Sequence, residues 1–301
     1  MKLVKFKKDT KRWLSSYQIS EIVVKLYKKC IPAVIKHRKN VDKLVQPDTV
    51  IIACVLWGFM LGYNSQRATY RAVRTILFFT EFPSRTRYTR LCANVTYAIK
   101  IIRFFFVKQK TKNVTTVLVD SFPSPFCKEI RNRREKVLGS IVEIGYNSTK
   151  KMYDYGVKIS AAVTESGFPV AYVVSSPKIH DVQLLETLVN EAPIPHILGD
   201  KGYISGSVQD KLAKKGVTVT TLLRKNMKHA DKIDDVLLGK RRKKIETIFS
   251  SLEKLGIQDF RSRSLLGFES RLESLLLVYC LMLNKARERF WNTLKYSLGC
   301  F

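Results

Sequence analysis

The chain has 301 residues, enough for about two domains of the usual ~150 residues and for a core of its own, which excludes a wholly disordered protein. Hydrophobic residues at 46% and aromatics at 11% are globular values, but 54 Lys and Arg stand against 25 Asp and Glu, a net charge of +29. Such an excess calls for a polyanionic partner, nucleic acid ahead of an anionic membrane surface, because each neutralised phosphate releases condensed counterions. The six cysteines are never closer than 20 positions, so no zinc-ligand spacing exists, and their scatter reads as ordinary thiols of an intracellular protein. The longest apolar runs, residues 50–61 and 275–283, fall short of the roughly 20 residues of a spanning helix.

Residues 1–107 carry apolar side chains at three- and four-residue spacing with almost no Val/Ile/Thr alternation, which predicts a helical domain. Asp48 stands where an N-cap belongs, before an apolar helix over 49–61. Gly62, Tyr63 and Asn64 supply a turn, and Ser65 caps a second helix running to about residue 79. On that helix Arg67, Arg71 and Arg74 fall at i, i+4 and i+7, so three guanidinium groups share one face. A third helix opens after Ser84 with Arg85, Arg87 and Arg90. Any one of these arginines reads as readily as solvated charge; two clusters in a helix-turn-helix-like unit point to DNA phosphates or grooves.

From residue 114 the period changes. A strand is predicted over 114–122, and runs at 152–163 and 169–175 flank Glu165, Ser166 and Gly167 as a hairpin. A short amphipathic helix (180–190), a strand (196–200), a helix (205–215) ended by Gly216, a strand (217–223) and a basic helix (about 240–255) follow. This order predicts an α/β domain over 108–301 of the ribonuclease H-like type: a mixed five-stranded sheet with flanking helices, then C-terminal helices.

Asp120 and Asp200 follow the apolar runs of the first and fourth strands, where a charge is costly unless paired or metal-bound. Those strands are neighbours in this fold order, so the two acids are expected to meet. Glu246 borders the apolar stripe of Ile245, Ile248, Phe249, Leu252 and Leu255 and supplies a third carboxylate from the side. Singly, each aspartate is an ordinary turn cap. Together the three predict two Mg²⁺ ions roughly 4 Å apart, Mn²⁺ substituting, serving an in-line phosphoryl displacement. Asp181 fits an N-cap of the 180–190 helix better than a site acid.

The segments Val119-Asp120-Ser121-Phe122-Pro123, Leu198-Gly199-Asp200-Lys201-Gly202-Tyr203 and Arg242-Lys243-Lys244-Ile245-Glu246-Thr247-Ile248-Phe249 resemble the three acidic motifs of DDE transposases from prokaryotic insertion sequences, most nearly the insertion-sequence family numbered nine hundred and eighty-two. The resemblance runs from about residue 114 to 283. It implies an enzyme that cuts at the ends of its mobile element and joins the freed 3′-hydroxyl to target DNA. Asp120, Asp200 and Glu246 would then be the catalytic metal-binding triad, Tyr203 the aromatic after the second acid, and Arg242 the arginine of a related Tyr-Arg-Glu-Lys signature. The signature's Tyr is Gly239 here, and its Lys is Glu253, with Lys254 next. Arg224 and Lys225, past the fifth strand, are further candidates for holding terminal DNA. A homodimer or higher oligomer on DNA and a cytoplasmic, nucleoid-associated location are the matching expectations. The alternatives are a nuclease of the same fold without strand transfer, and a non-catalytic DNA-binding descendant.

Overall fold

The computed structural model describes residues 14–63, 65–77, 79–128, 141–147, 151–192, 194–221, 235–260, 262 and 264–290. The chain forms two compact units, residues 107–253 and residues 1–106 together with 254–301. Among the described residues no helix is long and apolar enough to cross a membrane.

The helical unit opens with α1 (Ser16–Cys30), whose start is a capping box: Ser15 Oγ accepts the Gln18 N–H and the Gln18 side chain accepts the Ser15 N–H. After the short α2 (Ala33–Lys36), α3 (Asp48–Met60) is apolar on every side, and such a helix is stable only when surrounded. Its neighbours are α1, α4 (Gln66–Ile76), α5 (Arg85–Asn94) and α10 (Leu265–Phe290), and α6 (Thr96–Lys110) follows α5 in the chain. Ser65 caps α4 as the sequence predicts, Ser84 at the opening of the third helix caps α5, and α4 ends at Ile76, short of residue 79. Asp48 is not the cap expected of it. The N-cap is Pro47, and the buried Asp48 carboxylate instead receives the Arg38 guanidinium at both oxygens and the Tyr27 hydroxyl at 3.0 Å, since a buried charge needs donors more than the helix needs a cap.

Residues 254–301 group with these helices rather than with the sheet, which moves the expected 108–301 boundary at that end. The reason lies in α10: Leu275 to Leu283 are buried throughout, and Glu273, fully enclosed, is paired with Arg103 of α6. Such a helix needs helical neighbours on more than one side.

The second unit is built on β1 (Thr116–Lys128), β2 (Glu143–Asn147), β3 (Met152–Thr164), β4 (Pro169–Ser175), β5 (His196–Gly199) and β6 (Thr218–Thr221). The order is β2-β3-β1-β5-β6, with β4 also on β3. β3 runs antiparallel to β1, β2 and β4, whereas β1–β5 and β5–β6 are parallel. This is the expected mixed, ribonuclease H-like sheet with six strands instead of five. The extra strand is β2, which pairs with the first residues of β3 while β4 pairs with residues 158–163. The predicted hairpin closes at Gly167, whose φ of +97° suits glycine, and Thr164 Oγ1 accepts the Phe168 N–H at 3.0 Å. The helices are α7 (Asp181–Glu191), α8 (Gly206–Lys214) and α9 (Asp235–Lys254), the last beginning about a turn earlier than the sequence suggests.

Candidate functional site

Leu118 of β1 pairs with Leu198 of β5, so Asp120 and Asp200 each stand two residues farther along parallel neighbours. Their juxtaposition thus follows from strand order. Asp120 does not end its strand, however. β1 continues to Lys128 along β3, while β5 stops at Gly199, so Asp120 sits where its parallel neighbour runs out, opposite the small Ala161. Asp120 Oδ1 accepts the Ser121 N–H at 2.8 Å. Asp200 Oδ1 accepts the Gly202 N–H at 2.7 Å and caps the 3-10 turn Lys201–Tyr203. A Cβ on Gly202 would fall 2.9 Å from that same oxygen, so a side chain there would push the carboxylate from this seat.

α9 lies against β1. The Phe249 and Phe122 rings are 4.5 Å apart, and Arg242 Nη2 is 3.7 Å from Asp120 Oδ2. Asp120 and Phe122 share a strand face, and Arg242 and Phe249, seven apart, share a helix face. Glu246 projects from the same helix face between those two, exposed. The ion pair that Arg242 makes is therefore with Asp120, not the i,i+4 pair with Glu246 that helical spacing suggests. Arg241 donates to Glu165 in the hairpin turn at 2.6 Å, tying α9 to the sheet, and holds that carboxyl below its usual range.

Asp181, weighed in the sequence as a site acid and read there as the N-cap of the helix over 180–190, is not that cap. The N-cap of α7 is His180, which makes no side-chain cap, and Asp181 is the first helical residue. Its carboxylate meets Lys158 Nζ of β3 at 2.7 Å. Nothing in its local sequence separates it from a cap; what places it is the packing of α7 on β3 and β4. Tyr203 is completely buried, and its hydroxyl has no hydrogen-bond partner among the described residues. A Cβ on Gly199 would meet the Tyr203 ring at 3.0 Å, so the glycine lets that ring close over the end of β5.

The electrostatics tie these groups together. Burial pushes the Asp120 carboxyl up to about 6; the Ser121 N–H opposes this, the charge of Asp200 adds to it, Arg242 opposes it, and Asp181 adds again. The Tyr203 phenol is raised far above its usual range by burial and then by the charges of Asp181, Asp120 and Asp200. Among the described residues no three His, Cys, Asp or Glu side chains form a ready-made metal cage. The donors nevertheless suit a hard divalent ion: they are oxygens, they repel one another, and an orphaned buried hydroxyl lies beside them.

Arg67, Arg71 and Arg74 are exposed on α4, and Arg85, Arg87 and Arg90 on α5, both in the helical unit. Arg224 and Lys225 lie outside the described residues.

The chain matches the family described as Transposase DDE domain over residues 114–281. No curated protein sequence matches it. Among solved structures, the cryo-EM structure of the piggyBac transposase synaptic complex with hairpin DNA is similar over 93% of this chain and 76% of that one, with 11% identity and a TM-score of 0.46.

Proposed function

The chain belongs to the family of transposase DDE domains, matched over more than half of its length, and from that membership we propose that it cuts DNA at the ends of a prokaryotic insertion sequence and joins the freed 3′-hydroxyl to target DNA. The observation that carries this reading is the meeting of Asp120 and Asp200 at the level where β5 stops beside β1. Those two acids, with Glu246 of α9, are the residues to hold Mg²⁺ or Mn²⁺. When bound, two such ions supply an activated oxygen nucleophile and neutralise the charge of an in-line phosphoryl displacement. Arg242 keeps the Asp120 carboxylate oriented and adds positive charge beside the scissile phosphate. Tyr203 fills the space behind the acids and keeps bulk water from that side.

Hydrolysis and joining are then one displacement with two nucleophiles, water and a DNA 3′-hydroxyl. The exposed arginines of α4 and α5 are assigned to DNA phosphates, in keeping with the net charge of +29. Two bound ends require two active sites, so the working form is a homodimer or higher oligomer on DNA, in the cell compartment where that DNA lies. A joining assay with a pre-cut 3′-end and Mg²⁺ tests the reading. Joined product is expected; cleavage of uncut ends without any joining assigns the chain to the nucleases; neither reaction in Mg²⁺ or Mn²⁺ overturns the enzymatic assignment.

A further inference from the structure

We propose that Tyr146 of β2 and Tyr153 of β3 form a stacking platform for unpaired DNA bases on the face of the sheet that carries Asp120. The inference rests on the transposase reading above, which makes DNA the substrate. Three observations carry it. First, the two side chains are exposed, at 59% and 53%, although large aromatic residues are ordinarily well buried. They pair directly across β2 and β3 with ring centroids 5.1 Å apart, so each braces the other while more than half of each stays open to solvent. Second, Asp120 lies opposite Ala161, and Tyr153 stands eight residues along β3 from Ala161, an even number, so the tyrosines and Asp120 project from one face. At ~3.3 Å per residue the separation along the strand is about 26 Å, less than the ~34 Å of one turn of DNA. Third, the sequence around the pair is basic: residues 128–151 hold seven Lys and Arg against three Glu, and Lys151, at the turn into β3, is exposed.

This charge selects the occupant. A second copy of the chain would bring the same basic segment and a net charge of +29 to the patch, whereas a polyanion is attracted to it. Tyrosine has no forked donor set for reading base edges in a duplex groove, but its ring stacks on the face of any base, and base faces are open only where the strand is unpaired. The cutting proposed above leaves strand ends beside Asp120, within one turn of the pair. Rings that only stiffened the two strands would affect melting and not DNA affinity.

Fluorescence anisotropy of the full chain with labelled oligothymidylate, and with a blunt duplex of equal length, tests the inference independently of activity. Tyr146→Thr and Tyr153→Thr keep a strand-forming residue and remove the ring. Each is expected to weaken single-strand binding by about fivefold or more while duplex binding stays within about twofold. The slope of log affinity against log salt should not change, because no phosphate contact is lost. Tyr146→Phe and Tyr153→Phe should bind like wild type; a loss there equal to that of the Thr variants assigns the effect to the hydroxyls and overturns the stacking. Equal losses on both DNAs, a flattened salt slope, or wild-type single-strand affinity in the Thr variants also overturns the inference. Weaker self-association in those variants, with DNA binding intact, gives the pair to a second copy and overturns it as well. In each of these cases a chain that still forms joined product keeps the transposase reading standing, whereas a wild type that binds neither DNA overturns both. Should the Thr variants fail to fold, photocrosslinking of the wild-type chain to iodouracil-substituted oligothymidylate decides: adducts at Tyr146 or Tyr153 support the inference, and adducts only elsewhere overturn it.

Discussion

Asp120 is where the second unit concentrates its electrostatic strain. Its folded carboxyl titrates near 6 rather than at 3.8, so between those values the folded state holds more protons than the unfolded chain. Stability therefore falls as pH rises through that window, and the full penalty applies above it, an upper bound of about 3 kcal/mol. In chelator, Asp120→Asn is expected to melt several degrees above wild type at pH 8 and closer to it at pH 5, where the native carboxyl is already largely protonated. Equal melting temperatures at pH 8 would show that the carboxylate carries no such strain. The same residue is expected to be indispensable for function. Asp120→Asn, Asp200→Asn and Glu246→Gln should each reduce cleavage and joining by more than the ~10–100-fold typical of residues that only support a metal ligand, with end binding kept. A variant that retains a tenth of wild-type activity removes its residue from the triad.

At the level of elements, α4 and α10 make opposite uses of charge. The arginines of α4 face solvent, and their contribution belongs to binding. If Arg67, Arg71 and Arg74 touch phosphates, replacing all three with Ala should weaken affinity for every DNA sequence and flatten the slope of log affinity against log salt by about 2 to 3. An unchanged slope would return that face to solvated charge. In α10, by contrast, Glu273 is fully buried and paired with Arg103, itself nearly inaccessible. Glu273→Ala leaves a buried guanidinium without its carboxylate and is expected to cost about 3–5 kcal/mol in denaturant unfolding, with Glu273→Gln milder. A loss below 1 kcal/mol would mean that the pair merely breaks even against its desolvation.

For the molecule as a whole, α10 belongs to the core of the helical unit, because it covers α3 and α5. A chain ending at residue 253 should therefore lose the helical unit while keeping the sheet. Limited proteolysis reads this directly: a fragment near residues 107–253 should outlast residues 1–106. Resistance of the N-terminal helices in the truncated chain would show that α10 is dispensable to them.

Local physical chemistry determined a large part of this protein in advance. The caps at Ser65 and Ser84, the arginine face of α4, the hairpin at Gly167 and the strand order that brings Asp120 level with Asp200 all depend on residues a few positions apart or on element order. What the sequence did not disclose depends on contacts between residues far apart. The short β2, with Gly145 at its centre, forms because the long β3 offers it an edge. Residue 48 became an ion-pair acceptor because Arg38 and Tyr27 reach it. Arg242 turned to Asp120 because Phe249 packs on Phe122 and sets the rotation of α9. Asp181 pairs with Lys158 of β3 instead of capping α7, because α7 packs on β3 and β4. Periodicity and capping are read within one element, but the partner of a buried charge is chosen by whichever elements pack beside it, and only the tertiary structure decides that.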